Sequence, residues 1–256
     1  MISTLMTAWS FGLEKQAKLA IVAAMEREIR PLVKSWRVVE REYGDRQFKF
    51  FENDSVVAVC GGIGPEAARR ATEAVLSIYK AEAVQSVGFA GALDAHGKIG
   101  DVVAPGRVVD ATDGSSFAIN NGLGTLVSFG SVAGPDQKAR LATAYAAQIV
   151  DMEAAAVARG AEARGVIFSA VKVVSDEAGF TMPPMEQFVG NDGQFREARF
   201  ALFVAGRPWL WLKVLQLARN SAKASRALCG ALSGQLACGD ILKSMNNGLH
   251  PIGSTK

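Results

Sequence analysis

The sequence predicts an α/β fold with a largely parallel, covered sheet. Three observations carry this. Short apolar runs rich in β-branched residues recur at residues 18–24 (KLAIVAA), 55–60 (SVVAVC), 83–89 (AVQSVGF) and 166–176 (VIFSAVKVVSD). Stretches with helical apolar spacing lie between them, and strands that alternate with helices build a parallel sheet covered on both faces. The chain also has no internal repeat, and its 256 residues suit one sizeable domain with at most a small appendage.

Taken in order, residues 18–24 form a buried strand, and 25–36 (MEREIRPLVKSW) form a helix. Residues 37–53 alternate polar and apolar side chains around YGDRQ, the pattern of a hairpin or of edge strands. The strand at 55–60 runs into GGIG, and Pro65 then sits in the first turn of a helix, where proline is tolerated. The strand at 83–89 ends in AGAL, and residues 101–110 (DVVAPGRVVD) read as strand, turn and strand. A strand is expected at 126–132 and a helix at 136–147. The alanine-rich stretch from Val150 reads as a helix through about Ala163, closed by Gly165 before the long strand at 166–176. Proline and glycine mark residues 182–194 as a loop, and apolar residues from Arg207 onward return to helical spacing.

Composition excludes several functions. Apolar residues make up 49% and charged residues 21%, as in globular domains, and the net charge of +3 is too small to imply nucleic acid. No apolar run reaches the roughly 18 residues of a membrane span. Residues 1–17 lack a signal-peptide pattern and read as a flexible leader on a cytoplasmic protein. Cys60, Cys229 and Cys238 are odd in number and lack CxxC spacing, so reduced thiols are expected. With only His96 and His250, neither a metal centre nor a histidine triad is expected, and acid–base chemistry rests on carboxylates.

Two local patterns point to a site. Gly62-Ile63-Gly64-Pro65-Glu66-Ala67 fits the dinucleotide fingerprint, but it lies in the second strand–helix unit, and the next strand has no acid at its end for a ribose. What remains is a helix start whose backbone N–H groups can face an anion. In VDMEAAAVARG, two carboxylates precede small residues that let a helix seat closely.

The segments AAMEREI, GGIGPEAA, VGFAGAL, KIGDVVAP, VDMEAAAVA and VKVVSDEA occur in this order over roughly residues 18–195. Together they resemble the nucleoside phosphorylase and nucleosidase superfamily, particularly its methylthioadenosine/S-adenosylhomocysteine nucleosidase branch. The resemblance implies a single α/β domain with a central mixed sheet, partly closed into a barrel and flanked by helices. It implies that Glu28 orients the attacking water and that Glu153 binds the ribose hydroxyls, with Met152 packed on the sugar. It places Asp176 beside the purine N7, oriented by Ser175, and Phe89, Ala90 and Gly91 along the substrate. No cofactor or metal is implied, and the site-sharing habit of the family implies a homodimer or larger assembly.

These residue types suit the chemistry on their own terms. Breaking a purine N-glycosidic bond builds positive charge on the sugar and negative charge on the base. An aspartic acid partly buried at a strand end is suited to donate a proton to the base. A glutamate that accepts two hydroxyl protons fixes the sugar and favours its cationic form, and another carboxylate can orient water on the opposite side. Each residue also has a plainer reading. Asp151 and Glu153 suit any helix N-terminus, Asp176 suits an N-cap, and Glu28 could be an exposed acid between Arg27 and Arg30.

Phosphorylases of the superfamily carry R-x-G-[ST], where this chain has Ser86-Val87-Gly88-Phe89. Phenylalanine offers no donor to a phosphate dianion, so water is the expected nucleophile, with Arg107 or a basic residue elsewhere as the alternative source of a phosphate site. The short segment before VDMEAA and the extended tail are more similar to hopanoid-associated phosphorylase-like proteins. That similarity implies adenosine joined to a polycyclic lipid, and phosphorolysis of adenosyl hopanoid as an alternative. Residues 201–256 read as a helical extension with a frayed end. Its basic face with Trp209 and Trp211 suits a membrane surface, a greasy substrate or packing on the domain. A non-catalytic nucleoside-binding protein is a further alternative.

Overall fold

The computed structural model describes residues 17–190 and 192–237. Cys238, Asp240, His250 and the leader before residue 17 lie outside the described residues. The strands are β1 (Leu19–Ala23), β2 (Arg37–Tyr43), β3 (Arg46–Asn53), β4 (Val56–Cys60), β5 (Ala83–Ala92), β6 (Val102–Val103), β7 (Arg107–Asp110), β8 (Ser116–Ala118), β9 (Thr125–Ser128), β10 (Ile149–Asp151) and β11 (Ile167–Asp176). The helices are α1 (Glu26–Val33), α2 (Pro65–Tyr79), α3 (Pro135–Tyr145), α4 (Ala154–Glu162), α5 (Glu197–Ala205) and α6 (Pro208–Ala237).

A single α/β unit results, built on one 11-stranded mixed sheet with the order β2-β3-β4-β1-β5-β10-β9-β7-β8 and with β11 paired to β5 and β6. The sheet is less parallel than the alternation of elements predicts. Strands β1, β4, β5 and β11 run parallel, but the β2–β3–β4 meander and the β10–β5, β11–β6 and β7–β8 pairs are antiparallel. Ten-residue β5 is the branch point. Residues Ala83 to Val87 pair with β1, and Gly91 and Ala92 pair with β10.

Strand β1 is buried along its whole length, and its alternate side chains enter two different layers. Leu19, Ile21 and Ala23 join Ile29 and Leu32 of α1 with Leu228 and Leu232 of α6. Ala20 and Val22 join Ala71 and Val75 of α2 with Val157 and Ala161 of α4. The close seating expected of the alanine run is present. Ala154, Ala155, Ala158 and Ala161 are buried, and a Cβ on Gly160 would stand 2.7 Å from Thr72 Cγ2.

Several boundaries differ from the sequence reading. The stretch read as one helix from Val150 begins as β10, and helix α4 starts only at Ala154. A three-residue strand has no periodicity of its own, and its register with Leu126, Val127 and Ser128 of β9 decides its conformation. The strand expected at 126–132 ends at Ser128, because Gly130 and Gly134 lead into α3. Helix α5 begins at Glu197, ahead of the helical extension expected from residue 201, and the short strand β8 lies where the sequence pattern predicts no element.

Helix α6 has two contrasting halves. Ala224, Ser225, Leu228, Cys229 and Leu232 are buried, and Ser225 Oγ donates to the Glu28 backbone carbonyl at 3.0 Å. In its first turns Trp209, Trp211, Leu212 and Leu215 are exposed. No described helix is long and apolar enough to cross a membrane.

Candidate active site

Parallel strands deliver their C-terminal ends to one edge of the sheet, the usual place for a ligand in α/β proteins. The C-terminal stretches of β5 and β11 and the turns that follow β1, β4, β9 and β10 surround a cavity of about 540 Å³. Glu28, Glu153 and Asp176, which are far apart in sequence, all line it. Met152 and Ser175 lie beside them, and Phe89, Ala90 and Gly91 form the wall supplied by β5. All the residues expected at the site therefore meet in one cavity.

Glu28 is 2% exposed, which removes the reading of an exposed acid. Its carboxylate accepts the Met25 N–H at 3.2 Å, closing the first turn of α1. Burial raises its pKa above the ordinary carboxylate value, against the pull of the Met25 N–H and of the Lys172 and Arg27 charges. Strand β5 can pass this close only because residue 88 is glycine. Its φ is +150°, and a Cβ there would lie 2.9 Å from Glu28 Oε2.

Glu153 occupies the N-cap position of α4, with its side chain turned to the start of a different helix. Its Oε1 accepts the Gly64 N–H at 2.8 Å, directly before Pro65 opens α2. The glycine loop that fits a nucleotide fingerprint thus holds a carboxylate of the protein itself. Burial and the neighbouring Asp151 carboxylate push the Glu153 pKa up to about 7. Asp151 is the acid that caps α4, since its Oδ2 accepts the Ala154 N–H at 2.9 Å while its Oδ1 accepts the Ser128 hydroxyl at 2.6 Å.

Two buried lysines complete the charge pattern, and sequence reasoning missed both. Lys172, 1% exposed in the middle of β11, bonds Asp151 Oδ2 at 2.8 Å. Burial alone would lower its pKa, but Asp151, Glu153 and Glu28 together outweigh burial and hold it above the usual value. A lone lysine in the apolar run VIFSAVKVV was the available signal. Lys138 of α3 is 2% exposed, lines the cavity and pairs with Asp176 Oδ2 at 2.5 Å. Nothing in DQKARL distinguished it from a solvated helix face.

Asp176 is therefore half of an ion pair rather than an isolated acid or an N-cap. Its Oδ1 accepts the Ser175 hydroxyl at 2.8 Å. Neighbouring residues of a strand normally face opposite ways. Here the register slips between Val174 and Asp176, which allows both side chains to reach one cavity. Gly91 opposite is a second required glycine, since a Cβ there would stand 2.9 Å from Asp176 Oδ2 and 3.1 Å from Lys138 Nζ. Arg107 bonds Thr125 Oγ1 at 3.1 Å and does not line the cavity. Arg27 does line it, with its guanidinium 5.5 Å from the centre of the Phe195 ring.

The family model described as the phosphorylase superfamily matches residues 18–128 and 124–205, most of the chain. The chain belongs to the phosphorylase superfamily. No curated protein matches it by sequence. Among solved structures, this superfamily member is similar to a mutant methylthioadenosine/S-adenosylhomocysteine nucleosidase of Helicobacter pylori with 5′-methylthioadenosine in its active site. The TM-score is 0.65 at 17% identity, over 86% of this chain and 98% of that one. It is also similar to the Streptococcus pyogenes S-adenosylhomocysteine nucleosidase in complex with 5-methylthiotubericidin, with TM-score 0.62 and 22% identity over 93% of this chain and 100% of that one. Futalosine hydrolase of Helicobacter pylori gives TM-score 0.62 at 19% identity over 91% and 98% of the two chains. At such identities the likeness establishes the shared fold.

Proposed function

We propose that this protein cleaves the N-glycosidic bond of a purine nucleoside, a 5′-modified adenine nucleoside, with water as the nucleophile. The observation that carries this reading is the convergence of Glu28, Glu153 and Asp176 on one cavity. In this reading Glu153 accepts the ribose hydroxyls, and Met152 covers the sugar. Glu28, whose burial makes it more basic than an exposed carboxylate, takes a proton from the attacking water. The negative charge of Glu28, Glu153 and Asp151 opposes the cation that develops on the sugar. The Asp176–Lys138 pair, oriented by Ser175, receives the departing base. The nucleosidase structures similar in fold support an adenine nucleoside, since one holds 5′-methylthioadenosine.

Water is favoured over phosphate because Phe89 lines the cavity where a phosphate site would need a donor, and Arg107 is turned to Thr125. The test is release of adenine from 5′-methylthioadenosine and from a 5′-lipid-substituted adenosine, with and without phosphate. Phosphate-independent release with free sugar is expected. Sugar 1-phosphate as the product would establish phosphorolysis, the reaction that a hopanoid-linked adenosine would undergo in the alternative reading. Tight binding without release would identify a nucleoside-binding protein. The homodimer implied by the resemblance is checked on the same preparation by light scattering, and contact of Trp209 and Trp211 with lipid by vesicle sedimentation.

A further inference from the structure

We infer that Lys138, rather than Asp176, carries the proton delivered to the departing base, with Asp176 as the carboxylate that positions it. This inference rests on the nucleosidase reading above and assigns one step within it. Both oxygens of Asp176 already act as acceptors, Oδ2 from Lys138 Nζ at 2.5 Å and Oδ1 from Ser175 Oγ at 2.8 Å. Engaged in this way, both Asp176 oxygens serve as acceptors, whereas the departing base needs a donor. Lys138 has three N–H groups. One bonds Asp176 and one donates to the Glu177 carbonyl at 2.8 Å, which leaves one for the cavity that Lys138 lines.

The pairing is built rather than incidental. Lys138 and Asp176 are 2% and 4% exposed, and the backbone of Gly91 packs against both, leaving no room for a side chain. An ion pair at this depth is costly to desolvate and adds little net stability, so its retention in a cavity wall points to chemistry. Side by side, the pair offers one donor and one acceptor. A 6-aminopurine presents the complement, with N7 as acceptor and the exocyclic amine as donor.

The step balances as follows. The C1′–N9 bond breaks with its electron pair on the base, and N7 takes a proton from Lys138 Nζ, which becomes a neutral amine. Water adds to C1′ and gives one proton to Glu28. Solvent then accepts that proton and returns one to Lys138, so each group regains its starting state.

The test compares two leaving groups, the adenine of 5′-methylthioadenosine and the nitrophenolate of 4-nitrophenyl β-D-riboside, which departs without a proton. Lys138→Met should lose about 10²–10³-fold in kcat/KM on the nucleoside and less than about 10-fold on the nitrophenyl riboside. Because that variant leaves Asp176 buried and unpaired, the neutral double variant Lys138→Met/Asp176→Asn is measured beside it and should show the same split. Asp176→Asn alone keeps the ammonium and should lose less on the nucleoside than Lys138→Met does. Equal losses on both substrates, or a greater loss for Asp176→Asn, would overturn the assignment. A wild-type protein that releases no adenine would instead overturn the nucleosidase reading, and this assignment with it.

Discussion

The two ends of the cavity carry opposite charge designs. At the end that the proposed reading gives to the sugar, three carboxylates, Asp151, Glu153 and Glu28, act on the one ammonium of Lys172. At the end that the same reading gives to the base, one carboxylate, Asp176, meets one ammonium, Lys138. The first end gathers more carboxylates than ammonium groups away from solvent, and burial raises the pKa of both Glu28 and Glu153 there. The second is balanced before the reaction and carries one negative charge once Lys138 has given up its proton. A reaction that makes the sugar positive and the base negative uses both designs at once.

Removing the shared cation should strain this contrast most. Lys172→Met would leave Asp151 and its neighbours without a counter-charge, and a loss of about 3–5 kcal/mol of stability is expected by urea denaturation. A loss below about 1 kcal/mol would mean that the carboxylates simply take up protons. Next in size is Glu28→Gln, which keeps the shape but removes the base. Its kcat/KM on 5′-methylthioadenosine should fall about 10²-fold or more, and unchanged turnover would show that the water is oriented elsewhere.

A smaller effect of opposite sign belongs to Glu153→Gln. The native Glu153 pKa is pushed up to about 7 from the ordinary glutamate value of 4.5. Between these values the native state holds a proton that the unfolded chain has lost, so this group lowers stability as pH rises through that window. The variant removes the dependence. By thermal melting it should exceed the wild type at pH 8, with the margin shrinking toward pH 5. A constant margin would mean that Glu153 is not the titrating group. The smallest effect is expected for Arg107→Ala, whose partner is Thr125. Activity with or without phosphate should stay within about two-fold, and a selective loss of phosphate-dependent turnover would restore Arg107 to the site.

The same contrast explains what was legible in the sequence. Strands β1, β4, β5 and β11 are buried on both faces, so their apolar runs announce them, and the motifs after β1, after β10 and at the end of β11 carry Glu28, Glu153 and Asp176, which line one cavity. Strand β10 was hidden because three residues carry no period and an alanine run follows at once. The lysines were hidden for different reasons. Lys172 interrupts an apolar strand and could have been noticed. Lys138 stands in a helix that looks solvated, and only the approach of Gly91 and Asp176 buries it. Long-range packing also fixed the identity of Gly88, since its need for no side chain depends on where the Glu28 carboxylate lies.

The most direct measurement is the affinity of two ligands that differ only in sugar charge, an adenine-like base joined to a cationic pyrrolidine ring and to its neutral cyclopentane counterpart. Titration calorimetry should give at least about 10²-fold tighter binding for the cation. Its advantage should also grow from pH 6 to pH 8 as Glu153 gives up its proton. Equal affinities at all pH values would contradict a sugar end built to hold positive charge.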